Sequence, residues 1–146
     1  MDRRQLLARA EATVTACNRR DPDAFVANVA EDVIWRDVAL ALPLHGRDAL
    51  RAAAEAQMHA FPDMRVEATA VTIDPPRLVQ EVTLTGTHRG SLLGIEPTGR
   101  WTETHMATVL TFDEDGVIIE ASVYWNLQGM LRQLGLGPDM ATAAAA

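Results

Sequence analysis

The sequence predicts an α+β fold: a cone-shaped, strongly curved antiparallel sheet wrapped around a long helix, with further helices at the N-terminus. Two observations predict it. Helical spacing of apolar residues clusters in residues 1–60, while alternating, strand-like segments joined by short turns fill residues 64–126. In addition, the length of 146 residues and the hydrophobic share of 48% suit one domain with one sizeable core. No repeat or linker divides the chain, so residues 1–138 are expected to form a single domain. Residues 139–146, rich in small side chains, are expected to form a frayed tail.

The elements follow in order. Leu6, Leu7, Ala10, Val14 and Cys17 recur every three or four positions, which makes one face of an amphipathic helix. Asp21 suits an N-cap and Pro22 a first helical position, so a second, short helix carries Phe25, Val26 and Val29. Residues 32–38, "DVIWRDV", alternate as a strand, with Val33, Trp35 and Asp37 on one side and Ile34, Arg36 and Val38 on the other. Residues 39–46, "ALALPLHG", read as a loop. The alanine-rich stretch 46–60 predicts a third helix, ended by Phe61-Pro62 because proline disfavours helical geometry in the residue before it. Four long strands are then expected. "MRVEATAVTID" turns at Pro75 and Pro76, "RLVQEVTLTGTHRG" returns, and "RWTETHMATVLTF" follows the loop "SLLGIEPTG". Asp115-Gly116 marks a hairpin into "VIIEASVYWN", and residues 127–134 close the chain with a short helix. A sheet of this kind curved around the third helix leaves a pocket between the helices and its concave face.

Composition excludes several function classes. A net charge of −7 speaks against general nucleic-acid binding, which needs a basic face to displace phosphate counterions. A single cysteine, Cys17, rules out an internal disulfide framework and a thiolate-rich metal site. Its place on the apolar stripe points to a buried, inert thiol. The N-terminus has no continuous apolar block of the signal-peptide type, and no run is long enough to span a bilayer, so a soluble cytoplasmic protein with no membrane partner is expected. The four histidines do not fall at metal-ligand spacings. There is no Ser-centred nucleophile elbow. "GSLLGIEPTG" does not link a strand to a helix, so it reads as a lid or mouth loop rather than a phosphate cradle.

The strings "DVIWRD", "LHGRDALR", "FPDMRVE", "GTHRGSLLGIEPTGR" and "DEDGVIIEASVYWNLQGMLRQLG", in this order over about residues 20–135, resemble the SnoaL-like polyketide cyclase family. The order of elements resembles the cystatin-like superfold shared by nuclear transport factor 2, ketosteroid isomerase and limonene epoxide hydrolase. The resemblance implies a small, dimeric α+β enzyme without metal or organic cofactor. Such cyclases close a ring by an intramolecular aldol reaction on an ester-bearing aromatic polyketide, and close relatives are implicated in hydroxylating anthracycline-type polyketides. The resemblance further implies a proton-abstracting aspartate at the end of the last strand. Carried over by its place before "LQGMLRQLG", that position is Asn126, an amide that cannot take up a proton near neutral pH.

The candidate site residues follow from the strand faces and from that resemblance. Trp35-x-Asp37 and Tyr124-x-Asn126 are expected to converge on the pocket, an arrangement similar to the epoxide hydrolases of the superfold. Asp37 is the leading ionisable group: a carboxylate beside Trp35 in a water-poor pocket is poised as general acid or base. The alternative is a loop-anchoring aspartate. His105 assists if Val109 and Thr111 line the pocket, and lies on the outer face with the opposite parity. Asn126 is expected to hold a substrate oxygen, or else to cap the helix that follows. Trp35 and Tyr124, with Met58 and Phe61 as weaker candidates, supply flat walls, although core packing suits the last two better. Glu81, on the face of Val79, Thr83 and Thr85, either lines a wet pocket or pairs across an exposed face. His59 is placed at the pocket mouth, His88 at a strand end where it steadies a turn, and His45 in a solvated loop.

These readings combine into an enzyme of polyketide or related secondary metabolism acting on a small hydrophobic, aromatic polyketide-like ligand. Its chemistry would be cofactor-independent cyclisation or hydroxylation. A non-catalytic ligand-binding module is the alternative, supported by the missing aspartate. An epoxide hydrolase ranks last, because no Arg-x-Asp occurs in the fourth strand. A homodimer is expected through the outer face of the sheet, with Val82, Leu84 and Leu110 as its apolar patch.

Overall fold

The computed structural model describes residues 1–137. The tail expected over residues 139–146 lies outside the described residues. The elements are α1 (Arg3–Arg19), α2 (Pro22–Val26), β1 (Val29–Asp37), β2 (Leu42–His45), α3 (Arg47–Ala60), β3 (Arg65–Asp74), β4 (Arg77–Thr87), β5 (Trp101–Phe112), β6 (Ile118–Trp125) and α4 (Leu127–Gln133). The strands form one curved six-stranded open sheet in the order β2-β1-β6-β5-β4-β3, the α+β architecture expected. Every neighbouring pair is antiparallel except β1 and β6, which run parallel. Register shifts in the β1–β6 and β3–β4 pairings bend the strands and help the sheet to curl.

Local chemistry sets the helix starts. Asp2 caps α1 in a reciprocal arrangement with Gln5, the two bonds measuring 2.8 and 2.9 Å. Asp21 caps α2 through Ala24 N–H, with Pro22 at the first helical position as its fixed φ favours. α3 has no side-chain cap. It starts at Gly46, whose φ of +93° is open to glycine and strained for other residues.

One difference from the sequence reading is β2. Its Leu42 and Pro43 are exposed, and it pairs with β1 only, so proline is tolerated where an inner strand would lose a ladder bond. His45 accordingly lies at the end of this edge strand, opposite Ile34.

The core lies between the concave sheet face and the helices. Leu6 and Ala10 of α1, Val33 of β1, Leu50 of α3, Leu78 of β4, Leu110 of β5 and Ile118 of β6 form one buried cluster. Ala54, Met58, Phe61, Met64, Val82, Leu84 and Met130 form a second. Each fully buried large side chain contributes roughly 1.5–3 kcal/mol relative to exposure. The apolar patch assigned to the outer face is thereby corrected, since Val82, Leu84 and Leu110 all point inward. The reason is parity: on β4 the inner row is Leu78, Gln80, Val82 and Leu84, and the outer row is Val79, Glu81, Thr83 and Thr85.

Polar clamps hold the helices to the sheet. The Asn18 side chain receives Val66 N–H at 2.7 Å and donates to Val66 C=O at 2.9 Å, fixing α1 against β3. Asp63 accepts from the backbone and the hydroxyl of Thr87, both at 2.7 Å, joining the start of β3 to the end of β4. These bonds hold the Asp63 carboxyl below its ordinary value of 3.8.

Candidate active site

A cavity of about 350 Å³ opens between the concave face and the helices. Its walls are mostly apolar: Phe25 from α2, Leu50 and Ala54 from α3, Val82 and Leu84 from β4, Met106 from β5 and Val123 from β6. Leu40, Leu42, Leu92 and Leu93 stand on the adjoining loop and edge strand, and Leu93 is exposed. The volume falls at the small end of the range for sites that enclose an organic ligand.

β1 delivers two of the expected residues. Trp35 and Asp37 both border the cavity, because the alternation that buries Val33 turns them to the same side. The Trp35 ring packs against Phe25 with centroids 5.8 Å apart and a tilt of 59°. Asp37 Oδ1 accepts from the indole Nε1–H of Trp125 at 2.9 Å and from Leu40 N–H at 3.1 Å. No residue among those described bonds Oδ2. Asp37 therefore does two things: it anchors the turn after β1, and it borders the cavity with one oxygen that no other described residue bonds.

β6 presents the opposite face to the one expected. Ala121, Val123 and Trp125 point inward, and Tyr124 lies on the outer face, 49% exposed. Trp125, which sequence reasoning missed, occupies the wall assigned to Tyr124. Its signal was present in the sequence: it continues, two by two, the row Ala121, Val123. Asn126 does not reach this cavity. It is the N-cap of α4, its Oδ1 accepting Gly129 N–H at 2.9 Å. A Cβ at Gly129 would lie 2.8 Å from Asn126 Nδ2, so any larger residue there would displace the capping amide.

β5 carries His105 on the outer face, together with Val109 and Thr111, while Thr104, Met106, Thr108 and Leu110 point inward. The His105 side chain is 74% exposed. Its Nδ1 lies 3.2 Å from Thr83 Oγ1 and its Nε2 3.9 Å from Glu103. His105 and Asn126 do come together, but at a second, more open cleft between β5 and α4, which Glu103, Arg132 and Gln133 also border. The expected convergence of Trp35, Asp37, Tyr124 and Asn126 is thus corrected: Trp35 and Asp37 border the cavity between sheet and helices, and Tyr124 and Asn126 do not.

Glu81 is exposed on the outer face of β4, and His59 is exposed near the end of α3; neither borders the enclosed cavity. His88 is fully buried just beyond β4. Its Nδ1 accepts Thr98 N–H at 3.2 Å and lies 3.1 Å from Thr98 Oγ1, and its ring packs on Phe61 with centroids 5.8 Å apart. Phe61 borders the cavity, whereas Met58 is buried in the core.

Cys17 of α1 borders the cavity too, and burial pushes its thiol up to about 11. Gln80 and Thr108 face each other as a polar pair on the inner face of β4 and β5, and Thr104 is a further buried polar residue beyond Met106. Among the described residues no three His, Cys, Asp or Glu side chains are grouped as a metal site, and no helix is long and apolar enough to cross a membrane.

Comparison with solved structures gives the same fold throughout. AclR of Streptomyces galilaeus, described as a candidate hydroxylase, superposes with a TM-score of 0.86 at 24% identity, over 99% of this chain and 95% of its own. A SnoaL-like protein of Jannaschia sp. CCS1, described as a candidate polyketide cyclase, gives 0.83 at 18% identity, over 94% and 99%. IdmH of Streptomyces antibioticus, also described as a candidate polyketide cyclase, gives 0.76 at 21% identity, over 90% and 99%. No curated protein matches the chain. The family model of the SnoaL-like polyketide cyclases matches residues 7–134, from the first turns of α1 to the end of α4. The chain belongs to the SnoaL-like polyketide cyclase family.

Proposed function

We propose that this protein is an enzyme of polyketide or related secondary metabolism that acts on a hydrophobic, carbonyl-bearing polycycle by cofactor-independent acid–base chemistry. Family membership and the likeness to candidate cyclases and a candidate hydroxylase support the class. The observation that carries it is Asp37: a carboxylate on the wall of an apolar cavity, with Oδ1 held by two N–H donors and Oδ2 bonded by no other described residue.

In an aldol-type ring closure, Asp37 Oδ2 takes the proton from a carbon flanked by carbonyls. The C–H electron pair moves into an enolate, whose carbon attacks a second carbonyl of the same molecule. The new alkoxide recovers the proton from Asp37, so the carboxylate is regenerated and no co-reactant is consumed. The hydroxyls of Thr104 and Thr108 border the same cavity and would serve as donors to a developing oxyanion. Hydroxylation would begin with the same deprotonation and would need an oxygen donor in addition. The proposal includes a cytoplasmic homodimer through the outer sheet face, where Trp101 and Tyr124 are exposed.

The test is Asp37→Asn. Asparagine keeps an oxygen for Trp125 and Leu40 but removes the base. Hydrogen–deuterium exchange at the acidic carbon of an aromatic β-keto ester, followed by NMR, should fall by about 100-fold or more. Unchanged exchange would take Asp37 out of the mechanism.

A further inference from the structure

Asp37 does not stand alone on the concave face. It is level with Val123 of β6, which is level with Thr108 of β5, which is level with Gln80 of β4. All four border the cavity. The register therefore lays one straight row across four adjacent strands, polar at both ends and in part of its middle. Three interstrand spacings of about 4.8 Å put its ends about 14 Å apart along the curved sheet.

At the far end, Gln80 is only 6% exposed, and its Oε1 is buried with no hydrogen-bond partner among the described residues. An orphaned buried acceptor costs free energy unless something else supplies the donor. No hydrogen bond to the Thr108 hydroxyl is found among the described residues either. The neighbouring inward residues Leu78 and Val82 are apolar and offer Gln80 nothing.

We infer that Gln80 is a specificity-determining residue that reads a hydroxyl group on the end of the substrate remote from Asp37. The inference rests on the proposed use of the cavity for a polycycle, and it names which polycycle: a flat, fused-ring molecule with a phenol-type hydroxyl at one end and its acidic, carbonyl-flanked carbon at the other. A hydroxyl is the group that fits, because it both donates and accepts and so serves the Gln80 carboxamide at Oε1 and at Nε2. A ring carbonyl would leave Oε1 without a donor. The span of the row suits a molecule of several fused rings with a hydrogen bond at each end.

The probes are 2-hydroxyanthraquinone and unsubstituted anthraquinone, and the readout is quenching of tryptophan fluorescence, since Trp35 and Trp125 both border the cavity. The natural protein should bind the hydroxylated probe about tenfold more tightly than the other. Gln80→Leu should bring the ratio to about one by weakening only the hydroxylated probe, and Glu81→Gln, on the outer face of the same strand, should leave the ratio as it was. Should Gln80→Leu not fold, as judged by circular dichroism, Gln80→Met serves in its place. Equal affinities in the natural protein, or a preference that survives loss of the amide, would overturn the role of Gln80 while leaving the polycycle reading intact. Quenching by neither probe would overturn both.

Discussion

Trp125 donates its indole N–H to Asp37 Oδ1 across 2.9 Å, and the two are the last residues of the parallel neighbours β6 and β1. The contact therefore ties together two strand ends at one rim of the sheet, where Val38 N–H also bonds Val123 C=O at 3.0 Å. A carboxylate held this way keeps its free oxygen in one orientation, which is what a proton-transferring group needs.

Trp125→Phe keeps an aromatic wall and deletes the donor. Leu40 N–H still holds Asp37, so the variant should fold, with a stability loss of about 1 kcal/mol in urea denaturation. Turnover should drop by about tenfold with little change in KM, because orientation rather than binding is lost. Full turnover in the variant would show that the indole contact is structural only.

Cys17 should react slowly. Burial lifts its thiol from 9.0 to about 11, so at pH 8 the thiolate is roughly 100-fold scarcer than in the unfolded chain. Labelling with a disulfide reagent should slow by at least that factor in the native protein. Because Cys17 borders the cavity, saturating hydroxyanthraquinone should slow it further. A native rate equal to that in urea would contradict the buried placement.

Asp63 gives the fold an acid-sensitive clamp. Its folded carboxyl titrates below 3.8 because Thr87 N–H and then Thr87 O–H bond the ionised form. A lowered value adds stability that is complete well above 3.8 and disappears as pH falls through the folded value. Asp63→Ala should lower the urea midpoint at pH 7 by an amount corresponding to about 1 kcal/mol or less, given the exposure of the group. At pH 3 the gap between the two proteins should narrow. A gap that stays constant from pH 7 to pH 3 would assign the effect to packing instead.

The sequence carried the α+β class, the helices and five of the six strands because periodicity is a property of long, half-buried segments. It also placed Trp35 and Asp37 on one face, since Val33 marks the buried side of β1 without ambiguity. β6 was harder. In strict alternation Ile119, Val123 and Trp125 share one row of "VIIEASVYWN" and Ile118 and Tyr124 the other, so both rows carry large apolar groups and composition does not decide the parity; the structure buries Ile118 and Val123 alike because the pairing with β5 shifts register between Thr111 and Phe112. For β4 and β5 the sequence left open whether Glu81 and His105 face a wet pocket or the outside, and it placed an apolar contact surface on the outer face. The cavity is mostly apolar, so the rows containing Glu81 and His105 face out and those containing Leu84 and Leu110 face in. β2 was missed because an edge strand with Pro43 and little burial has a loop's composition. Gln80 could not be singled out, since its meaning comes from a row that only the pairing register aligns with Asp37.

Asn126 stands where the family resemblance led to an expected acid, and its surroundings say what a carboxylate would do there. It caps α4 through Gly129 N–H, on the side of the open cleft rather than the enclosed cavity. Asn126→Asp should keep the cap, because a carboxylate accepts the same bond and sits well at the start of a helix, and stability should change by no more than about 0.5 kcal/mol. Asn126→Ala removes the acceptor and should cost about 1 kcal/mol. In neither variant should deuterium exchange at the β-keto ester carbon rise, since the new group does not face the cavity that holds Asp37. A clear gain of exchange in Asn126→Asp would mean that α4 swings its first residue into the cavity during the reaction, and the division of labour between the two sides of the sheet would have to be redrawn.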